Sequence, residues 1–269
     1  MTIHATAIVD AGAKIAKSAE IGAYSVIGPG VEIGENCKIW PHTVIEHTKL
    51  GDGCQVYPQT SLGLAAQHLG YKGEPAKLIV GARTTFREGV TVHRGTAFDK
   101  SVTIIGDDCY FMALAHVAHD CVLGNKIIMA NAAQLAGHVH VADNVFVSTT
   151  VGVHQFTRIG RGAMISGGAM VPMDVAPFCL AQGDRAAIKG LNLVGMRRLG
   201  MDRESVRLVK SAYKTMFLSN LLLHEAVNHA DLTVDNTFVK TFRDFFLDPK
   251  RGYLRPSLKI VTEVEEEVS

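Results

Sequence analysis

The sequence predicts an all-β solenoid, a parallel β-helix of hexapeptide repeats, followed by a small α-helical unit. Three observations predict this fold. Aliphatic side chains recur every six residues through roughly the first two thirds of the chain, small residues follow them, and a helical pattern replaces the period after Pro177. Such repeats are typical of folds in which each unit buries its apolar face only against its neighbours.

The aliphatic positions set the geometry of the coil. A period of six fits neither the turn of a helix nor the alternation of a plain strand, but it suits a short strand and a two-residue corner. Three such sides close one triangular coil of about eighteen residues. The longest unbroken run holds twelve positions, namely Ile105, Phe111, Val117, Leu123, Met129, Leu135, Val141, Val147, Val153, Ile159, Ile165 and Val171.

Small residues accompany these positions at two offsets. The residue directly after the aliphatic one is often glycine or alanine, and the residue four after it is small or apolar. We expect both to point into the coil, because a tight corner leaves little room for a side chain. The first set includes Gly22, Gly28, Gly34, Gly106, Gly124, Ala130, Ala136 and Gly160; the second includes Cys109, Ala115, Cys121, Ala133, Val139, Val145, Val151 and Ala163.

Two insertions interrupt the period, at residues 63–78 and 94–101. A solenoid expels extra residues as loops, and these collect on one face that is often functional. The first insertion contains Gln67 and His68, whose side chains can bind a polar ligand. We therefore expect both insertions to lie near the functional site.

Helical spacing of apolar residues begins after the repeats end. Residues 202–220 predict an amphipathic helix with Asp202 as its N-cap, and phenylalanines after Asp235 predict a second helix. The sequence thus divides into a β-helix domain at residues 1–184 and a C-terminal helical domain at residues 185–269.

Composition excludes several functional classes. The formal charge of +1, without a run of Lys and Arg, favours no nucleic-acid partner. No apolar run of membrane-spanning length occurs, and the first residues lack the features of a signal peptide, so we expect a cytoplasmic protein with no membrane span. Five scattered cysteines, an odd number, favour reduced buried thiols.

Histidines gather in the cleanest part of the repeat. At about eighteen residues per coil, His119 lies one coil below Gly137, and His138 lies one coil above Asp120. We expect His116, His119, His138, His154 and Gln155 on or near one wall, with the imidazole of His119 facing outward from a strand.

This arrangement suits acyl transfer. A neutral imidazole can accept a proton from a hydroxyl or amine, which is the task of a general base in that reaction. The backbone N–H of Gly137 is a candidate donor to the oxyanion that forms when a thioester is attacked. Since neither a Gly-x-Ser-x-Gly element nor an obvious cysteine nucleophile is present, direct transfer is the simpler prediction.

The chain closely resembles the UDP-N-acetylglucosamine acyltransferases, which begin lipid A synthesis. The resemblance extends from Ile3 into the C-terminal helices. Its motifs are His116-Val117-Ala118-His119-Asp120-Cys121, Leu135-Ala136-Gly137-His138, Val153-His154-Gln155-Phe156, Ala181-Gln182-Gly183 and Asn192-Leu193-Val194-Gly195-Met196-Arg197-Arg198.

The resemblance implies a left-handed β-helix and a homotrimer with active sites between subunits. It implies an acyl carrier protein as acyl donor, a UDP-amino-sugar as acceptor, and no cofactor or metal. The acidic carrier would be steered by basic residues near the end of the coils, with Lys189, Arg197, Arg198, Arg158 and Arg161 as candidates.

The resemblance also implies roles for individual residues. His119 matches the general base, and Gly167 stands where the family's acyl pocket ends, which favours a long 3-hydroxyacyl chain. The first insertion contributes Gln67 and His68 beside the sugar acceptor. Other matched residues are His138 and Gln155 at the sugar, Asn192 and Arg198 at the nucleotide or phosphates, and His116, His154 and Met164 along the acyl and pantetheine channel.

Two residues depart from the family pattern. His68 replaces the usual aspartate near the acceptor, so that the acceptor atom could be the sugar's 3-hydroxyl or the amine of a 3-amino analogue. Val194 replaces an acidic residue found in some relatives near the nucleotide.

Three other functions stay open at this point. One is the UDP-glucosamine N-acyltransferase of the same pathway, whose extra N-terminal domain has no counterpart before Ile3. The others are a silent trimeric scaffold and an anhydrase-like trimer with a histidine-bound metal, for which the spacing of these histidines is unfavourable.

Overall fold

The computed structural model describes residues 2–248 and 251–257. In the lower half of the solenoid the strands are β1 (Thr2–Ile3), β2 (Ile8–Val9), β3 (Lys14–Ile15), β4 (Glu20–Ile21), β5 (Val26–Ile27), β6 (Glu32–Ile33), β7 (Lys38–Ile39), β8 (Val44–Ile45), β9 (Thr48–Leu50), β10 (Gln55–Val56), β11 (Ser61–Leu64), β12 (Lys77–Val80), β13 (Thr85–Phe86) and β14 (Thr91–His93).

The upper half continues in the same manner. Its strands are β15 (Val102–Ile105), β16 (Tyr110–Phe111), β17 (His116–Val117), β18 (Val122–Leu123), β19 (Ile128–Met129), β20 (Gln134–Leu135), β21 (His140–Val141), β22 (Phe146–Val147), β23 (Gly152–Val153), β24 (Arg158–Ile159), β25 (Met164–Ile165), β26 (Met170–Val171), β27 (Cys179–Gln182) and β28 (Ala187–Leu191).

The strands form three sheets, parallel except for the β27–β28 pair, that are the walls of a triangular prism. Sheet A runs β1-β4-β7-β10-β13-β16-β19-β22-β25-β27-β28, sheet B runs β2-β5-β8-β11-β14-β17-β20-β23-β26, and sheet C runs β3-β6-β9-β12-β15-β18-β21-β24. Each strand pairs with the strand one coil away, as Val117 does with Leu135 and Leu135 with Val153. The order confirms the predicted solenoid of stacked coils.

The aliphatic positions form the core inside the prism. All twelve positions from Ile105 to Val171 are buried, as are the small or apolar residues four positions after them. The expectation for the residues directly after the aliphatic ones was wrong. A Cβ on Gly22 would lie 2.6 Å from the backbone nitrogen of Pro41, so these residues are small because the next coil's backbone passes close to them.

Corners join the walls, and we name each by the two sheets that it connects. Both insertions leave the solenoid at the B–C corner, residues 63–78 between β11 and β12 and residues 94–101 between β14 and β15. The prediction that the insertions share one side of the molecule is therefore confirmed. The B–C corner directly above them carries His119 and Asp120.

The C-terminal part closes the upper end of the solenoid. The hairpin of β27 and β28 is antiparallel, and the predicted boundary between residues 184 and 185 falls in its turn. Five helices follow within the described residues: α1 (Leu193–Arg198), α2 (Arg203–Leu218), α3 (Leu223–Ala226), α4 (Ala230–Thr233) and α5 (Thr237–Asp244).

The two predicted helices are α2 and α5. The N-cap prediction for α2 is confirmed, since Asp202 accepts a hydrogen bond from the Ser205 N–H. The second helix is capped by Asn236 rather than following Asp235 directly. None of the described helices combines the length and apolarity that a bilayer crossing requires.

Candidate active site

His119 occupies the B–C corner rather than the strand wall that the sequence predicts. It is the first residue of the two-residue turn after β17, and Asp120 is the second, with a φ of 59°. The side chain of His119 is only 8 % exposed. The ring lies on the outside of the coil and lines a groove there, but neighbouring rings at the corner cover most of it.

A carboxylate fixes the orientation of the His119 ring. Nδ1 of His119 lies 2.8 Å from Oδ2 of Asp120, whose side chain is 1 % exposed. Asp120 also accepts hydrogen bonds from the N–H and the hydroxyl of Thr96, at 2.8 and 2.6 Å. Its own N–H donates to the Thr103 hydroxyl at 2.9 Å.

These hydrogen bonds keep Asp120 ionised. Burial alone raises the pKa of its carboxyl group, but the hydrogen bonds from His119 and Thr96 outweigh burial and lower the pKa below its usual value. An ionised carboxylate can only accept, so His119 carries its proton on Nδ1 when neutral. Nε2 is then left as the basic atom of the ring.

Two further imidazoles flank His119. The rings of His68 and His138 each meet the His119 ring nearly edge to face, with centroids 5.2 Å apart in both pairs. The second insertion supports both rings. Phe98 packs against His68 with centroids 4.8 Å apart, and Asp99 Oδ2 lies 3.3 Å from Nδ1 of His138.

Gly137 lies directly above His119, as the coil spacing predicts. A Cβ at this position would lie 2.7 Å from Cε1 and 2.9 Å from Nε2 of the His119 ring, so only glycine leaves the ring its place. In the described part of the chain no acceptor pairs with the Gly137 N–H. That donor is thus free for a ligand atom beside Nε2.

His119 opens into a groove of about 990 Å³ along sheet B. The groove extends from the first insertion, past β20, β23 and β26, to the turn of the β27–β28 hairpin. Seven of the predicted site residues line it: Gln67, His68, His116, His119, Gly137, His154 and Gln155. Residues that the sequence did not single out include Gln134, Met170, Asp184 and Arg185.

Two histidines near His119, the buried His93 and the half-buried His116, have lowered pKa values. Burial, followed by the nearby charge of His119, lowers the pKa of His116. Burial, followed by the charges of His116, His119 and Arg94, lowers the pKa of His93 to about 4. Nδ1 of His116 lies 2.7 Å from the Thr91 hydroxyl, which fixes that ring in the groove wall.

The remaining predicted residues lie elsewhere in the single chain. Met164, Asn192 and Arg198 line a second groove, of about 640 Å³, on sheet A. Gly167 belongs to neither groove and lies at the A–B corner between them. His138 lies behind the first groove, stacked on Phe156 with centroids 4.5 Å apart. One chain therefore does not bring all the predicted site residues together.

The candidate carrier-steering residues are dispersed as well. Arg158 pairs with buried Asp174 at 2.7 Å and donates to the Phe245 carbonyl, so its guanidinium is already engaged. Arg158 and Arg161 line a cavity between sheet C and α5. None of the five predicted basic residues lines the groove of His119.

Among the residues that the structure describes, His119, Asp120 and His138 form the group whose ligand atoms lie close enough together to share a metal ion. Each offers a ligand atom within 4.8 Å of the other two. However, two ligands of one tetrahedral zinc lie about 3.3 Å apart at bond lengths near 2.0 Å. The 2.8 Å separation of His119 Nδ1 and Asp120 Oδ2 fits a hydrogen bond better than shared coordination.

The sequence patterns assigned no role to three residues of the site. Asp120 was noted beside His119 without a role, and a buried acidic neighbour of a candidate base was the signal that could have identified it. Thr96 and Asp99 lie in the second insertion, twenty or more residues from the groups that they contact. No repeat or motif in the sequence predicts those contacts.

Comparison with known proteins gives matches along the chain. A family model described as UDP N-acetylglucosamine O-acyltransferase, domain 2, matches residues 174–254, and a model of the bacterial transferase hexapeptide (six repeats) matches residues 12–47. An acyl-[acyl-carrier-protein]–UDP-N-acetylglucosamine O-acyltransferase of Herminiimonas arsenicoxydans is 44 % identical over 94 % of this chain and 99 % of its own length. One of Campylobacter concisus is 38 % identical over 93 % and 96 %.

Solved structures agree with these sequence matches. The UDP-N-acetylglucosamine acyltransferase of Francisella novicida superposes with a TM-score of 0.91 at 32 % identity, over 96 % of this chain and 95 % of that one. The Campylobacter jejuni enzyme of the same name gives 0.89 at 36 %, over 95 % and 100 %. This chain belongs to the UDP-N-acetylglucosamine O-acyltransferase family.

Membership confirms the family that the sequence motifs indicate. It makes the chain an acyltransferase with the left-handed parallel β-helix that the resemblance implies. The roles of individual residues are a separate question, which rests on the geometry of the two grooves.

Proposed function

We propose that the chain transfers a 3-hydroxyacyl group from acyl carrier protein to the 3-position of UDP-N-acetylglucosamine or of its 3-amino analogue. In the cytoplasm this would be the first step of lipid A biosynthesis. The observation that carries the proposal is the buried His119–Asp120 pair, which leaves Nε2 of His119 beside the free N–H of Gly137 in an open groove. Family membership supplies the substrate class.

The first chemical step joins acceptor and donor. Nε2 of His119 takes the proton from the acceptor's hydroxyl or amine as that atom attacks the thioester carbon. Asp120 accepts from Nδ1–H and stabilises the imidazolium that forms. The thioester oxygen gains negative charge, and the Gly137 N–H donates to it.

The second step releases the carrier. The tetrahedral intermediate collapses, its carbon–sulfur bond breaks, and the pantetheine thiolate takes the proton from Nε2 of His119. The acyl group stays on the acceptor, and His119 returns to its neutral state. Neither step requires a covalent acyl-enzyme.

A homotrimer would complete the site. The two grooves flank the A–B corner, because one lies on sheet B and the other on sheet A. Around a threefold axis along that corner, sheet B of one subunit faces sheet A of the next. Met164, Asn192 and Arg198 of one subunit would then face His119 of its neighbour, with Gly167 near the axis.

Features of the A–B corner support this packing. Leu114 has a φ of 63° and its large apolar side chain is 64 % exposed in the single chain. Such a leucine is costly unless a neighbour covers it. In the coils above it, small side chains occupy the same place in the corner, namely Ala132, Thr150 and Gly168.

The direct test is His119→Ala, assayed by thiol release and by mass spectrometry of the product from both acceptor sugars. We expect kcat to fall by about 10²- to 10⁴-fold, the usual contribution of a general base, while light scattering gives a trimer for both proteins. Near-normal turnover by the variant would refute the role of His119. Undiminished activity after chelation is the expected control, since the anhydrase-like alternative needs a metal.

A further inference from the structure

The first insertion brings Gln67 and His68 to the groove, and both residues are exposed in the single chain. Burial therefore does little to hold this part of the loop. A long loop loses conformational entropy when it is ordered, so specific contacts have to offset that loss. Contacts of this kind come from the first two residues of the second insertion, Arg94 and Gly95.

The backbone of residues 94–95 holds both ends of the first insertion. The Arg94 N–H donates to the Leu64 carbonyl at 3.1 Å, where the chain leaves β11. The Gly95 N–H donates to the Lys77 carbonyl at 3.4 Å, where the chain enters β12. The two insertions are thus joined at their bases.

The side chain of Arg94 holds the middle of the same loop. It is 12 % exposed, and its Nε donates to the Tyr71 hydroxyl at 2.8 Å. Nη1 donates to the Gly63 carbonyl at 3.1 Å and lies 3.4 Å from Oε2 of Glu46, which balances the charge. The planar guanidinium makes these contacts in fixed directions, so it defines where Tyr71 lies relative to the coil.

Tyr71 connects Arg94 to His68. The Tyr71 N–H donates to the His68 carbonyl at 2.9 Å, and the Gly70 N–H donates to Nδ1 of the His68 ring at 3.1 Å. The Tyr71 hydroxyl donates its own proton to the Glu74 carbonyl at 3.2 Å, which leaves its oxygen to accept from Arg94. This turn presents the ring of His68, which meets the His119 ring edge to face.

We propose that Arg94 is a positioning residue for the acceptor sugar, because through Tyr71 it fixes Gln67 and His68 at the His119 end of the groove. Arg94 does not line the groove itself, so it acts through the residues that it holds. This inference rests on the proposed function, in which the acceptor sugar lies beside Gln67 and His68.

The test is Arg94→Gln, which removes the guanidinium. We expect the KM for the acceptor sugar nucleotide to rise by about tenfold, because the first insertion must then be ordered when the sugar binds. The kcat value and the KM for the acyl donor should change by less than about twofold, since Thr96 and Asp120 hold His119 without the Arg94 side chain. A merely structural defect would lower the amount of active enzyme without separating the two KM values.

Tyr71→Phe tests the same contact with less risk to folding, because it keeps the ring and removes the hydroxyl that Arg94 contacts. We expect the KM for the acceptor to rise by about threefold. In the double variant with Arg94→Gln, this KM should equal that of Arg94→Gln alone, since both changes break one shared contact.

Tyr253→Phe is the matched control. The Tyr253 hydroxyl accepts from Arg255 at 3.3 Å, and the Arg255 guanidinium lies 5.4 Å from the ring centre, compared with 5.6 Å for Arg94 and Tyr71. Neither Tyr253 nor Arg255 lines the groove of His119 or the groove on sheet A. All three kinetic constants of this variant should therefore keep their wild-type values.

Two results would overturn the inference. One is a KM for the acceptor that stays at the wild-type value in Tyr71→Phe and Arg94→Gln, or that rises equally with the KM for the donor. The other is a double variant in which the two single effects multiply, since Tyr71 would then act independently of Arg94. If the wild type released no thiol from acyl carrier protein with either acceptor sugar, the proposed function would fail instead.

Discussion

Two corners of the same coils differ in whether the N–H of the turn has a hydrogen-bond acceptor. At the C–A corner, an Asx side chain accepts the turn N–H of the coil below: Asp107 N–H donates to Asn125 Oδ1 at 2.8 Å, and Asn125 N–H to Asp143 Oδ1 at 2.7 Å. At the B–C corner, the equivalent N–H of Gly137 has no acceptor among the described residues, and an imidazole lies beside it.

We infer from this difference in hydrogen bonding how a uniform repeat can provide a free donor for a ligand. Backbone and coil spacing are the same at both corners, so satisfied turn donors stabilise one corner, whereas at the other corner one donor is left free for the oxyanion that we propose. The insertions make the exchange possible. Residues 94–101 reach over the B–C corner and contribute Thr96, Phe98 and Asp99, which hold the groups around His119.

Of the changes that compare the two corners, filling the space above His119 should lower activity most. Gly137→Ala places a Cβ within 3 Å of the imidazole, which must rotate away from Asp120 because the backbone above it is fixed by the coil. We expect kcat to fall by about 10²-fold, with little change in melting temperature. Thiol release and thermal unfolding measure the two quantities.

Gly12→Ala is the control for this prediction. Gly12 lies at the B–C corner of the first coil, where a Cβ would meet only the Asp10 side chain, at 3.1 Å. Its activity should match the wild type. If Gly137→Ala were equally active, the proposed place of the oxyanion beside Nε2 would be untenable.

The C–A corner should respond in the opposite manner. Asn125→Ala removes the acceptor of the Asp107 N–H, and we expect a loss of about 0.5 to 1 kcal/mol in the free energy of unfolding, since the corner is exposed to water. Activity per amount of folded protein should not change. A fall in kcat with unchanged stability would contradict the claim that the C–A corner contributes to stability and not to activity.

The sequence predicts the repeating part of this structure well. It predicts poorly the contacts that the insertions make and the wall on which each site residue lies. The period of six places Gly137 over His119 and His138 over Asp120, because stacking converts a spacing of eighteen residues into contact. It cannot show that the His119 ring is largely covered, because part of that cover comes from His68 and residues 94–101, which leave the repeat. Nor can it show that Met164, Asn192 and Arg198 lie on a different wall.

The last prediction concerns the dependence of stability on pH, and it again separates the two corners. His93, the last residue of β14 before the B–C corner, has its pKa lowered to about 4 by burial and then by the charges of His116, His119 and Arg94. The unfolded chain binds a proton near pH 6.5, whereas the folded chain does not until about pH 4. Stability is therefore complete above pH 6.5 and is lost as the pH falls towards 4.

Between pH 7 and pH 5 the loss should be about 1 to 2 kcal/mol for this group. Urea unfolding at the two pH values measures it, and His93→Gln, which has no proton to gain, should lose less stability over that interval than the wild type. The C–A corner carries no histidine in its turns, so Asn125→Ala should keep the wild-type pH dependence. If His93→Gln kept it too, the pH sensitivity would have to arise from His116, whose pKa burial also lowers.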